Sequence, residues 1–231
     1  TVRSIYQDKK GFMYFGTNSG ISIYYGNGFK NIDEVNGKKI GIINQIAGNE
    51  LDSIYVIAST IPFFYKLNSQ QLENHRSSVP VYIYSMLYDE HRFLVCADDG
   101  LRVFENNEFK KINLITKDSV KFISKIISCN NNLWLIGRLG GSMELVNKKT
   151  LQTTAISPRL TVTQLYKDAQ DNIWIATKDK GILYLDAADI AQNKLQLSAV
   201  PAALQFLSNS EINDITGDKE GNIYFATVGK G

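Results

Sequence analysis

Short runs of apolar residues, four to seven long and divided by turn residues, make up almost the whole chain. In the first stretch they fall at Val2–Gln7, Phe12–Gly16, Ile21–Tyr25 and Phe29–Ile32. Such runs, rich in Ile, Val, Tyr and Phe and bounded by Gly, Asn and Asp, predict β-strands. Gly26-Asn27-Gly28 predicts the turn between the third and fourth, because Gly and Asn tolerate positive φ at little cost. Helical periodicity is nearly absent; only Ala187–Gln192 could form a short turn of helix. Many runs are apolar on both alternations, as in Ile42-Ile43 or Tyr82-Ile83-Tyr84, which predicts strands buried on both faces.

The runs repeat. Asp168-Ala-Gln-Asp171-Asn-Ile-Trp174-Ile-Ala-Thr177, followed by Gly181-Ile-Leu-Tyr-Leu, returns as Asp218-Lys-Glu-Gly221-Asn-Ile-Tyr224-Phe-Ala-Thr227 and as Asp8-Lys-Lys-Gly11-Phe-Met-Tyr14-Phe-Gly-Thr17. Weaker copies centre on Tyr55, Leu94 and Trp134. With positions 14, 55, 94, 134, 174 and 224 as markers, the intervals are 41, 39, 40, 40 and 50. Four strands in about 40 residues predict propeller blades rather than a horseshoe or helical solenoid. The expected architecture is all-β, with five complete four-stranded antiparallel blades and half of a sixth. Blade bounds are about 2–32, 41–73, 81–112, 121–155, 161–200 and 211–231, in one incomplete propeller domain. Ending after the second strand of blade six would leave unpaired edges, and the fragment is expected to associate or to be less stable than a longer chain. Trp134 and Trp174 are expected to fill the gaps between blades, each burying about 150–250 Å².

Composition changes this picture little. Hydrophobic residues make up 44% and charged residues 21%, and 25 cationic against 23 acidic side chains leave a net charge of +2. With no run of Lys or Arg, there is no footprint of a nucleic-acid binder. No stretch approaches the roughly 18 apolar residues of a membrane span. No leader is visible either, since the chain opens at Thr1 inside a strand-like run, as a fragment would. Cys96 and Cys129 lie in apolar runs and read as buried thiols acting as small hydrophobes.

The repeated phrase, close at Asp8–Tyr25, Asp168–Tyr184 and Asp218–Thr227 and degenerate in the middle copies, resembles the two-component regulator propeller repeat. That resemblance, and nothing else in the sequence, implies that the blades are part of a seven-bladed ring. It also implies the periplasmic part of an inner-membrane hybrid sensor of the Bacteroides type. Two seven-bladed propellers and a small β-sandwich would precede a transmembrane helix and a histidine kinase. It further implies an oligosaccharide ligand, contacts with the other propeller and sandwich domains, and a homodimer in the full-length protein.

Candidate chemistry is sparse. His75 and His91 show no metal-ligand spacing, and His91 stands where other repeats have the Asp turn. Asp8, Asp168 and Asp218 recur with the repeat, which points to Asx-turns rather than a converging acid–base pair. No catalytic residue, metal site or cofactor is expected. Four residues beyond each marker lie Asn18, Ser59, Asp98, Arg138, Lys178 and Val228, in loops between second and third strands. Loops on one end of a rigid scaffold suit ligand recognition, so Asn18, Asp98, Arg138 and Lys178 are the candidate ligand contacts. The planar fork of Arg138 suits an acidic ligand, and its removal should leave folding nearly unchanged. Alternative readings are a propeller enzyme acting on polysaccharides, as lyase or glycosidase, and a protein-interaction scaffold.

Overall fold

The computed structural model describes residues 2–48, 54–58, 63–68, 71–76, 82–106, 108–157, 159–192, 196–198, 200–218 and 220–229, with 63–68 and 71–76 described as backbone only. The chain divides into two compact units, Thr1–Ile112 and Asn113–Gly231.

The first unit holds three blades. Strands β1 (Val2–Gln7), β2 (Met13–Thr17), β3 (Gly20–Tyr24) and β4 (Phe29–Ile32) form a meander in chain order. These bounds agree with the sequence pattern to within one residue. A small hairpin, β5 (Glu34–Val35) and β6 (Lys38–Lys39), leads to the second blade. That blade comprises β7 (Ile43–Gly48), β8 (Ile54–Ala58), β9 (Phe63–Asn68) and β10 (Gln71–Arg76). The third comprises β11 (Ile83–Asp89), β12 (Arg92–Ala97), β13 (Gly100–Glu105) and β14 (Glu108–Ile112). All pairings are antiparallel between neighbours in sequence.

Strand β8 shows why alternation is missing from the sequence. Side chains alternate between sheet faces, and all five of its residues are buried. Ile54, Val56 and Ala58 pack with Tyr14, Ile21 and Ile23 of the first blade. Tyr55 and Ile57 pack on the other side with Ile83, Met86, Phe93 and Val95 of the third. Strand β8 thus serves two cores.

The second unit begins with a complete blade: β15 (Ile123–Ser128), β16 (Leu133–Arg138), β17 (Met143–Asn147) and β18 (Thr153–Ser157). The fifth sheet has three strands, β19 (Val162–Lys167), β20 (Ile173–Thr177) and β21 (Ile182–Leu185). The sixth has two, β22 (Ile212–Gly217) and β23 (Ile223–Thr227). Among the described residues there are therefore four complete blades, not the five expected from the repeat. After β21, Asp186 caps a short helix α1 (Ala187–Ala191), its carboxylate accepting from Ala188 N. This diverts the chain, and among the described residues an isolated bridge between Tyr184 and Ser198 stands where a fourth strand was expected. A 3₁₀ turn at Ala202–Leu207 completes the detour and accounts for the 50-residue interval.

Each first strand carries a register shift after its opening residue, at Val2/Ser4, Ile43/Gln45, Ile83/Ser85, Ile123/Lys125, Val162/Gln164 and Ile212/Asp214. Such bulges sharpen twist and re-aim side chains. Within the first unit, Gln45 both accepts from Met86 N (2.8 Å) and donates to Met86 O (3.1 Å), while Ser4 Oγ accepts from Ile46 N (3.0 Å). Gln164 Nε2 donates to Asp214 Oδ1 in the second (2.7 Å). The bulged residues stitch one first strand to the next.

The register also corrects the repeat alignment. Thr17, Ala58, Ala97, Arg138, Thr177 and Thr227 all oppose the opening residue of their first strand. Counting back three gives Tyr14, Tyr55, Leu94, Leu135, Trp174 and Tyr224. Leu135, not Trp134, is the fourth copy's equivalent of Trp174. The first turns of the two blades are equal in register: Ser128 pairs with Trp134 as Lys167 pairs with Ile173, and Cys129 N donates to Leu133 O as Asp168 N does to Asn172 O, so Leu133 stands at the place of Asn172. Trp134 accordingly points to the opposite face of its sheet and is fully buried, with the Lys148 ammonium 5.7 Å from its ring centroid. Trp174 does fill an inter-blade gap, between Tyr184 and Phe225 (ring centroids 4.7 and 5.9 Å away).

Candidate ligand-binding site

The recurring aspartates are turn residues. Asp168 Oδ1 accepts from Gln170 N and Asn172 N (both 2.9 Å), and Oδ2 accepts from Asn172 Nδ2 (3.0 Å) and Trp174 Nε1 (2.8 Å). Asp8 makes the same backbone pair and takes Tyr14 OH on Oδ2. Asp218 repeats the full pattern with Asn222 and Tyr224. One carboxylate thereby closes the first turn and pins the blade's aromatic side chain. Burial works against ionisation of Asp168, but the donors from Trp174 and Asn172 outweigh it and hold its carboxyl low. Donation by the Asn222 amide, aided by Tyr224, lowers Asp218 to about 2. In the third blade the turn is the two-residue pair Glu90-His91, with φ of 48° and 62°. Two positive values suit a tight hairpin turn, and they put His91 in a turn rather than a site. His75 lies where only the backbone is described, and Cys96 and Cys129 are both buried.

The opposite end of each blade, where the first strand begins and the second ends, carries the loops singled out in the sequence. A shared hydrogen bond marks the equivalent positions. The amides of Asp98, Leu139, Lys178 and Val228 donate to the carbonyls of Tyr82, Phe122, Thr161 and Glu211, at 3.0–3.3 Å. Leu139, 43% exposed, therefore holds the loop position that the sequence assigned to Arg138. Ser59 lies outside the described residues.

In the first unit, Asn18 is exposed and its Oδ1 accepts from Arg3 Nε (2.6 Å). Asp98 is half-buried, with one carboxylate oxygen lacking a hydrogen-bond partner. Tyr82 and Tyr84 flank it at 61% and 37% exposure, and burial together with the Asp98 charge raises the Tyr84 phenol.

In the second unit, Lys178 is exposed but Arg138 is not: only 2% of its surface is accessible. Arg138 Nε donates to Glu144 Oε2 (2.8 Å) and Nη1 to Val120 O (2.6 Å). Glu144, also 2% exposed, accepts on Oε1 from Thr116 Oγ1 (2.7 Å) and Thr153 Oγ1 (3.0 Å). An exposed Arg138 loop contact is thus replaced by a buried ion pair. The connector before β15 builds this arrangement by running beside β18, where Ile115 bridges Gln152 in parallel and exchanges hydrogen bonds with Leu151 and Thr153. Its continuation, Lys117–Ser119, forms a cavity of about 620 Å³ with Ser142, Glu144, Thr153 and the end of β18. Asp118 spans the cavity wall, Oδ2 accepting from Ser142 N (2.7 Å) and Ser142 Oγ (2.6 Å), Oδ1 from Val120 N (2.8 Å). Burial disfavours its charge, yet these donors and the Arg138 charge together lower its pKa. Sequence reasoning passed over Glu144, Asp118 and the hydroxyls around them because they belong to no repeat. The available signal was a glutamate inside the apolar run Met143–Val146.

A second cavity, about 510 Å³, lies at the other end of this unit, among Asn130–Asn132, Lys167, Asp171 and Ile190. Lys167 is paired there with Asp171 (3.0 Å), and burial raises the Cys129 thiol to about 12. Among the described residues no group of three or more His, Cys, Asp or Glu side chains is placed to hold a metal.

Meanders of bulged, doubly buried strands with this face-to-face packing define a β-propeller. Two of its segments, residues 1–19 and 157–179, match the family described as Two component regulator propeller. No curated protein matches the chain by sequence. Among solved structures it is similar to the extracellular domain assigned to the hybrid two component system BT3049 from B. thetaiotaomicron (TM-score 0.75, 18% identity, 98% of this chain and 32% of that one). The corresponding domain of BT4673 from the same organism gives 0.62 at 19% identity, covering 98% and 37%. A catalytically inactive virginiamycin B lyase from Staphylococcus aureus, bound to quinupristin, gives 0.74 at 10% identity, covering 97% and 77%. At these identities the likeness concerns the fold, and the chain spans about a third of the length of the two B. thetaiotaomicron domains.

Proposed function

We propose that this chain is part of the extracytoplasmic ligand-sensing region of a hybrid two-component sensor and that it responds to glycan fragments. The observation that carries the reading is the match of residues 1–19 and 157–179 to the Two component regulator propeller family, in repeats whose aspartate turns are built alike at Asp8 and Asp168. Similarity to two extracellular sensor domains of the same fold supports it. On this reading the chain sits in the periplasm within a longer, seven-bladed propeller region. Ligand binding shifts how paired sensor domains are arranged, in a homodimer, and a membrane helix relays the shift to a kinase. That shift requires the ligand to bind one arrangement more tightly than the other.

The test is phosphorylation of the full-length protein in membrane vesicles against a panel of plant and microbial oligosaccharides. A change in phosphate incorporation with one glycan class is expected; a full-length protein without kinase activity in any condition would overturn the reading.

A further inference from the structure

We propose that the cavity beside β17 and β18 binds a neutral polyhydroxyl group through the ligand's own hydroxyl protons, and that it discriminates against acidic ligands. The proposal rests on the sensor reading above and adds to it the site and the chemistry of what is bound. The argument turns on where the hydroxyl protons of the wall already point. A Ser or Thr hydroxyl has one proton to donate and two lone pairs to accept with. An ionised carboxylate can only accept, so each hydroxyl facing one must spend its proton there. Ser142 Oγ gives its proton to Asp118 (2.6 Å), and Thr153 Oγ1 gives its proton to Glu144 (3.0 Å). Both hydroxyl residues line the cavity with the two carboxylate residues themselves. What Ser142, Thr153 and the two carboxylates offer a ligand is acceptor lone pairs, beside the Ser119 and Ser157 hydroxyls on the same lining.

A compound rich in donors, such as a sugar with adjacent hydroxyls, matches that wall, and Ala155 and Ile156 supply an apolar strip for its C–H faces. An anion does not. It would bring oxygen acceptors to oxygen acceptors and set its negative charge beside Asp118, the carboxylate of this wall without an ion-pair partner of its own among the described residues, and like charges held close repel. The nearby guanidinium of Arg138 is kept from a ligand by burial: Nε and Nη1 are engaged with Glu144 and Val120 O, and Nη2, which has no partner, is out of contact with solvent. Lys117 is the cationic side chain on the cavity lining, and it can serve a single ligand oxygen.

The experiment is calorimetric titration of the full-length protein with neutral xylo-, manno- and arabino-oligosaccharides, with oligogalacturonate as the acidic probe and putrescine as the amine probe. Two cavity-filling variants from opposite walls, Ser119→Trp and Ala155→Trp, are compared with the isosteric Thr153→Val, which removes one acceptor with little change of volume. Thermal melts confirm that each variant folds. The expected result is binding of a neutral oligosaccharide that weakens about tenfold or more in the filled variants, a loss of about 1.4 kcal/mol, and less in Thr153→Val. Undiminished binding in all three variants would place the ligand elsewhere and sink this proposal while leaving the sensor reading intact. Binding of oligogalacturonate or putrescine in preference to the neutral sugars, abolished by filling the cavity, would refute the assigned chemistry. Absence of binding by every saccharide would count against both.

Discussion

Arg138 and Glu144 show how a charged residue changes meaning once its surroundings are known. Each side chain is 3% exposed, and the pair is completed by Thr116, Thr153 and the Val120 carbonyl. Removing one partner of a buried pair leaves the other charge without compensation, which costs about 3–5 kcal/mol. Arg138→Ala should therefore destabilise the fold by that amount, against the near-neutral effect expected from an exposed loop. Denaturant unfolding of Arg138→Ala beside Arg138→Met/Glu144→Met is the check. The double variant should recover much of the loss, since an apolar pair of similar volume is often tolerated. A single variant as stable as the parent would mean that the pair is solvated.

Between strands, the controlling quantity is how closely successive blades approach. Gly137 closes β16, and a methyl group there would meet Val162 Cβ, on β19 of the next blade, at 2.8 Å. Gly16 faces Ile43 in the same manner in the first unit, at 2.7 Å. These positions precede the residue that opposes the bulge, so the first strand of one blade lies directly on the second strand of its neighbour. Gly137→Ala should cost about 1–3 kcal/mol by overpacking, although alanine is elsewhere the better-tolerated residue. Coupling is the sharper measurement: Val162→Ala should relieve part of the loss in a double-mutant cycle. Strict additivity would show that the two blades part easily.

For the molecule as a whole, recurrence turns small local terms into a pH dependence. Asp99, Asp118, Asp168 and Asp218 are all held below the ordinary value of 3.8. A carboxyl that is more acidic folded than unfolded contributes stability that is complete above its unfolded pKa. That contribution is lost as pH falls through the folded pKa. Stability should accordingly be flat with respect to these groups above about pH 5 and decline from about pH 4 towards pH 2. Asp218, lowered to about 2, is the last to protonate. Chemical denaturation along a pH series checks the window, and Asp168→Asn should shallow the slope. A decline beginning near neutrality would point to other groups.

Much of this was legible in the chain before any coordinates. Period, strand bounds and aspartate turns come from local physics: side-chain alternation, φ preferences and an Asp closing on backbone a few residues away. Each of these acts within one blade and so leaves its mark in a short stretch of sequence. The slip at Leu135, the lost fourth strand of the fifth blade and the burial of Arg138 left no such mark. An alignment that matches Trp134 to Trp174 is off by one residue, a shift that exchanges the two sheet faces, and only pairing with β15 reveals it. The short helix itself was legible at Ala187–Gln192, and Asp186 caps it with Ile190 packed in the core; what was not legible is that, among the described residues, the blade's fourth strand is missing beside it. The Arg138–Glu144 pair and the cavity in front of it depend on a connector 16 to 28 residues away folding back along β18. Contacts at that separation are chosen by the packed structure, so the acceptor-lined cavity is a property of the fold and not of any motif.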